Sequence, residues 1–387
     1  MIKQIVIKGT AIIIGCIAGM ILIECTLRLC GPEWLVQRMH ELNAGDSLKR
    51  CYDNDREWPV VRKGKNVIGF VPNSVFKIVH YEYEDMASID GLGYRKVYPD
   101  QTPNDTRVTI PIVGDSFVFG IGVNDNQTFV SLLAKKLPYI KFINLGIPGS
   151  SLENQMDIIE DRHKDLGDPE IYGFVFFTGN DFVLEDKSIS ALKTSGKVGS
   201  IVPRKDVVEW LMRINKWSYH NPVLKRLYSL QYIRNVLFVS YNKIMKARIY
   251  DPIFYVMNPT AAPAMGHYLD AQLQRLDEIS NRLRFKYFFV IIPDRYQVYP
   301  LRLKKKMSYY RLEDADIDIL LPNRMLGEKL KEHHVSYLDL MEFFYKKDEG
   351  LYYIQDNHLT EKGHKLAYEY IAPFLEKNIA GLMRKNS

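Results

Sequence analysis

Residues 111–123 read PIVGDSFVFGIGV, an apolar run that breaks into Gly114-Asp115-Ser116 and then into Gly120 and Gly122. The chain's character turns on Ser116. It is either a turn residue after a strand or a nucleophile held at a strand's end. The tripeptide alone favours the turn reading, because Gly, Asp and Ser all favour turns, so the rest of the chain decides.

Working outward, strands alternate with helices from about Arg107. Val108–Val113 predicts a buried strand, with Pro111 awkward for a central position. Thr128–Leu137 has helical spacing, Ile140–Leu145 reads as the next strand, Leu152–His163 as a helix, and Ile171–Phe177 as a continuous apolar strand. Further on, His267–Leu283 predicts a helix and Tyr287–Ile292 a strand closed by Pro293-Asp294. Arg324–Lys331 reads as a helix and Val335–Leu340 as a short strand. Thr360 can cap a last helix that runs to about Ile371, shortly before Pro373. This alternation argues for a parallel sheet covered on both faces.

Two segments break the rhythm. Residues 31–106 alternate short apolar runs with polar turns and predict a small β-rich lead-in, ending at Asp90-Gly91-Leu92-Gly93-Tyr94-Arg95. Residues 186–265 carry helical patterns with no buried strand until Ile253-Phe254-Tyr255-Val256. Leu230, Ile233, Leu237, Tyr241 and Ile244 share one helical face there. The segment predicts a helical insertion, which packs on the domain, covers the site as a lid, or rests on a membrane.

The amino terminus differs again. From Ile2 to Ile23 the only charges are Lys3 and Lys8. With Lys8 snorkelling, the stretch approaches the roughly 20 residues that a bilayer span needs. Residues 1–28 therefore predict an anchor with its N-terminus inside, which puts the following domain in the periplasm or outside the cell. A cleaved signal finds only a poor site at Glu24-Cys25-Thr26-Leu27. Ile13-Ile14-Gly15-Cys16 resembles a lipoprotein box, but the apolar run continues past it.

Composition sets the other bounds. At 387 residues, 47% hydrophobic and 25% charged, the chain suits one large globular domain plus a smaller element, or two modest domains. A net charge of +6 without a basic stripe interleaved with aromatics gives no nucleic-acid footprint. The one dense basic run, Arg302 with Lys304–Lys306, reads as a solvated face or a contact for an anionic polymer or lipid. Cys30 and Cys51 either pair or remain free thiols, and no cysteine or histidine spacing suggests a metal site. No metal or organic cofactor is implied.

The ends of the core strands carry the chemistry. The first ends in Gly114-Asp115-Ser116. The second is followed by Asn144-Leu145-Gly146-Ile147-Pro148-Gly149, and the third by Thr178-Gly179-Asn180-Asp181. A late loop holds Asp356 and His358. In an open parallel sheet the carboxyl ends of the strands border the ligand crevice, so these loops converge. Ser116 is a nucleophile once a base removes its proton, and His358 can do so. Asp356 can orient and stabilise the imidazole. The backbone N–H groups of Ser116 and Gly149 and the side-chain amide of Asn180 are candidate oxyanion donors. Asp115, Asp181 and His364 read as structural supports.

The ordered blocks GDS, N-x-x-x-x-G, GND and D-x-H resemble those of the SGNH (GDSL-type) hydrolases. The resemblance covers roughly 107–182 and 285–376. It implies a three-layer α/β/α sandwich with a flavodoxin-like parallel sheet, spanning 107–380 and interrupted by the insertion. It also matches Ser116 to the family nucleophile, Gly149 and Asn180 to the oxyanion residues, and His358 to the base. Two departures stand out. Gln355 occupies the commonest aspartate position, with Asp356 one place later, and Thr178 replaces a frequent glycine. The D-x-H spacing is similar to that of related polysaccharide O-acetyltransferases.

The expectation is an anchored serine esterase acting on O-acylated carbohydrate through an acyl-serine. An O-acetyltransferase with the same site, a non-catalytic glycan-binding subunit and a cytoplasmic lipase are the alternatives.

Overall fold

The computed structural model describes residues 2–31, 60–63, 66–80, 82–99, 108–182, 252–310, 312–345, 350–354 and 356–383, together with residues 35, 227, 229, 230, 232 and 233. The chain divides into two compact units. One comprises Met1–Ser47 with Lys197–Ile249, the other Leu48–Gly196 with Tyr250–Ser387.

In the first unit, helix α1 spans Ile2–Cys30. Glu24 pairs with Arg28 one turn on at 2.8 Å and accepts from the backbone N–H and hydroxyl of Ser229 at 2.9 and 2.8 Å. The side chains of residues 2–14 lie outside the described set. Among the described residues no helix is long and apolar enough to cross a membrane. Cys30 is a free, exposed thiol, while Cys51 and most of the 186–265 insertion fall outside the described residues.

The second unit is built on a five-stranded sheet. Its strands are β5 (Val108–Gly114), β6 (Ile140–Gly146), β7 (Ile171–Phe177), β8 (Lys286–Ile292) and β9 (Ser336–Asp339). They are parallel throughout and lie in the order β6-β5-β7-β8-β9. This is the flavodoxin-like order, which reverses direction between its first and third strands, here β5 and β7. Pro111 sits in β5 opposite Ile143 of β6, and pairing of β5 with β7 begins only after it, at Ile112↔Gly173.

Strand alternation sorts the core into two faces. Tyr172, Phe174 and Phe176 of β7 and Tyr287, Phe289 and Ile291 of β8 belong to one buried cluster. It also takes residues from α4 (Leu152–Arg162), α6 (Ala262–Leu283) and α9 (Leu321–Glu332). Their neighbours Ile171, Val175, Phe177, Phe288, Val290 and Ile292 belong to a second cluster. That one is closed by α3 (Phe129–Lys136) and α11 (Glu361–Met383). The result is an α/β/α sandwich.

Ahead of the sheet lie two antiparallel hairpins. One pairs β1 (Val60–Lys63) with β2 (Asn66–Phe70), the other β3 (Val75–His80) with β4 (Tyr83–Ser88). Phe70, Phe76, Ile78, Ala87, Ile89 and Tyr94 share the first core cluster with the sheet. The lead-in is therefore packed into the sandwich, not strung before it.

Two sequence expectations are corrected. Ile253–Val256 is not a strand but part of a short helix, α5 (Pro252–Val256). A four-residue apolar run fits either period, and Pro252 supplies a φ suited to a first helical turn. The final helix does not stop before Pro373 but continues through it to Met383. The proline removes one backbone donor, while burial of Ile371, Ala372 and Leu375 on both sides of it holds the helix against the core.

Candidate active site

Each strand end at the switch point delivers one part of the site. β5 stops at Gly114, and Asp115 caps the four-residue helix α2 (Ser116–Phe119) by accepting from the Phe117 N–H at 2.9 Å. Ser116 thus begins a helical turn directly off the strand and is almost fully buried. β6 ends in Gly146, where an added Cβ would stand 2.1 Å from the backbone nitrogen of Phe119. Only glycine lets the end of β6 approach the backbone of α2 this closely. The next loop is tied to β5, with Ile147 N–H and Ser150 hydroxyl each donating to Gly114 C=O at 3.0 Å. Gly149 in that loop has φ +76°, a left-handed conformation that favours glycine.

After β7, Asn180 is exposed and its amide donates to Asp115 Oδ2 at 3.3 Å. Asp181 is buried, and its Oδ2 accepts from the Phe177 N–H at 2.8 Å. Burial pushes both the Asp115 and Asp181 carboxyls upward, and for Asp181 the neighbouring Asp115 adds to the effect.

The late loop completes the arrangement. His358 Nε2 lies 2.8 Å from Ser116 Oγ, and His358 Nδ1 lies 2.6 Å from Asp356 Oδ1. Serine, imidazole and carboxylate stand in line across 242 residues of sequence separation. Asp356 Oδ1 also accepts from the His358 N–H at 3.1 Å, a local turn bond that the D-x-H spacing allows. Burial alone would lower the His358 pKa. The carboxylate of Asp356, with Asp115 and Asp85 behind it, outweighs this and raises it above 6.5. His364 does not join the line. It is buried in α11, accepts from the Phe129 N–H at 3.2 Å, and is pushed down to about 3 by burial and nearby cations.

Several supporting residues had no signal in the sequence. The Tyr83 hydroxyl donates to Asp356 Oδ2. Glu82 accepts from the N–H groups of Ile354 and Asp356 at 2.7 and 2.8 Å. Arg295 donates to the Asp356 carbonyl at 2.9 Å. Asp294 caps its own short helix and takes the Asn357 amide at 2.8 Å. Tyr83 and Asp356 are 273 positions apart, so no local pattern could have linked them. Only Asp294, in the Pro293-Asp294 stop after a strand, carried a readable capping cue.

A hydroxyl against an imidazole that is itself faced by a carboxylate, with a side-chain amide on a neighbouring loop, is an arrangement that can carry out acyl transfer. Among the described residues no group of three or more His, Cys, Asp or Glu is placed to hold a metal ion.

No family model matches the chain, and no curated protein matches it. Solved structures do resemble it. An acetyl xylan esterase, AlAXEase, matches with 13% identity and a TM-score of 0.35, covering 69% of this chain and 100% of its own. The esterase EstA from Pseudoalteromonas sp. matches with 12% identity and a TM-score of 0.35, covering 70% and 99%. A member of the lipolytic protein G-D-S-L family from Veillonella parvula matches with 13% identity and a TM-score of 0.34, covering 70% and 96%. Likeness at this level carries no functional weight; the side chains of the site have to bear it.

Proposed function

We propose that the protein is a serine esterase of the SGNH type that works through an acyl-serine. The supporting observation is the Ser116 Oγ–His358 Nε2–Asp356 line, with 2.8 and 2.6 Å separations. His358 takes the hydroxyl proton as Ser116 attacks the ester carbonyl. The tetrahedral oxyanion is met by the N–H groups of Ser116 and Gly149 and by the Asn180 amide. His358 then returns the proton to the leaving alcohol, and water releases the acid by the reverse path.

The substrate class that best suits this reading is an O-acylated carbohydrate, and the D-x-H spacing keeps transfer of the acyl group to a sugar hydroxyl as a second reading. From the amino-acid sequence between Lys8 and Glu24 alone, we further propose an anchor that holds the site outside the cytoplasm, which a C-terminal topology reporter would check. Turnover of 4-nitrophenyl acetate by the purified protein, lost in Ser116→Ala, tests the esterase reading. A folded wild-type protein with no turnover of any acyl ester, yet binding glycan, would favour a non-catalytic role. Acylated product appearing only when an acceptor glycan is added would favour transfer.

A further inference from the structure

We propose that Tyr83 is a positioning residue for the reaction, holding the second oxygen of Asp356 and thereby setting the basicity of His358. The inference rests on the nucleophile reading of Ser116. Asp356 has two oxygens to satisfy, and its side chain is only 3% exposed, so bulk water cannot supply the donors. Oδ1 is taken by His358, through both the ring and the backbone. Oδ2 is met by the Tyr83 hydroxyl, which donates to it.

Tyr83 is well placed to hold that bond. It is the first residue of β4, paired with His80 across the two-residue turn, in a hairpin whose Ile78 and Ala87 are fully buried. Its ring lies 5.0 Å from that of His80 and 4.6 Å from that of Tyr353. The Tyr353 hydroxyl donates to Gly122 C=O at 2.5 Å, while Arg302 donates to the Tyr353 carbonyl at 3.0 Å. Glu82, in the turn itself, takes the backbone N–H groups on either side of Gln355. The hairpin tip thus grips both the backbone and the carboxylate of the loop that carries the triad acid.

A phenolic donor draws charge away from a carboxylate and fixes its plane. With the donor present, less of the Asp356 charge is directed at the imidazole, and Oδ1 stays aimed at Nδ1. Without it, more of the carboxylate's charge is directed at His358, and the imidazolium form is favoured over a wider pH range. Among the described residues, Asp115, Asp85 and His364 also act on or beside His358, and Glu82, Arg295 and Tyr353 face the loop that carries Asp356. Tyr83→Phe leaves all of these side chains, and the ring that packs on Tyr353, in place.

Tyr83→Phe keeps the ring and removes only the hydroxyl. The measurement is the rate of labelling by a fluorophosphonate probe as a function of pH. The expected result is a rate about 10-fold lower on the plateau, an acidic limb displaced to higher pH, and a protein that still unfolds cooperatively, with its melting temperature lowered only by the few degrees that one lost hydrogen bond to a buried carboxylate entails. A folded variant that labels at the wild-type rate with an unmoved or lowered limb overturns the proposal. Should the variant fail to fold, 3-fluorotyrosine at position 83 carries the test, since it keeps every contact and strengthens the donor. It should move the limb downward, and an unmoved limb would again overturn the proposal. Absence of labelling in the wild-type protein contradicts the nucleophile reading itself, a result distinct from equal labelling of both proteins.

Discussion

Arg95 Nε donates to Asp125 Oδ1 at 2.8 Å in an ion pair whose arginine is completely buried. The rest of the guanidinium is spent on carbonyls of Phe119, Gly120 and Val123 at 2.9, 2.6 and 2.6 Å, with Met86 at 3.1 Å. Asp125 in turn accepts from the Ser88 N–H. The pair therefore pins β4 to the loop that follows the nucleophile. Arg95→Met should lower stability by about 3–5 kcal/mol, because it strands a carboxylate and several carbonyls without donors. Urea unfolding measures this, and a loss below about 1 kcal/mol would show that the pair is not holding the loop.

Asp356→Asn removes the charge facing His358 Nδ1 while nearly preserving shape. The amide can present N–H to the imidazole and favour the wrong tautomer, so kcat should fall by about 10³–10⁴-fold with the fold intact. Steady-state kinetics with an aryl ester decide the matter. A loss under tenfold would mean that another group orients His358.

The pH dependence has a defined sign. His358 acts as a base only when neutral, and its pKa lies above 6.5 because Asp356, Asp115 and Asp85 outweigh its burial. Activity should therefore rise with pH along a limb centred above 6.5 in kcat/KM. Asp85 is held at about 7 mainly by burial, with Arg95 opposing, and its charged form adds to the field at His358. Asp85→Asn should move the limb to lower pH. A limb centred below 6.5 in the wild-type protein would contradict this electrostatic account.

The Asn180 amide donates to Asp115 Oδ2 at 3.3 Å, and under the proposed mechanism it is an oxyanion donor. Asn180→Ala should reduce kcat by about 10²–10³-fold and leave KM nearly unchanged, since the oxyanion exists only in the transition state. A change confined to KM would instead assign Asn180 to substrate binding.

Much of this architecture was legible in the chain. The apolar runs at Ile171–Phe177 and Tyr287–Ile292 announced buried parallel strands, and turn residues marked the loops that carry Ser116, Asn180 and His358. Asp356 was readable as their partner because it lies two positions before His358. The hairpin's part was hidden, since Tyr83, Glu82 and Arg95 act across distant sequence through contacts that leave no periodicity. Ile253–Val256 was misread because four apolar residues carry no distinguishing period. Pro373 was misread because a local rule about breaking helices yielded to burial on both flanks.

The most direct test of the central claim is covalent. Purified protein treated with a fluorophosphonate should gain a single adduct, mapped by mass spectrometry of its peptides to Ser116, and Ser116→Ala should gain none. Folded wild-type protein that stays unlabelled, or a Ser116→Ala variant that labels equally well, would contradict the assignment of Ser116 as the nucleophile.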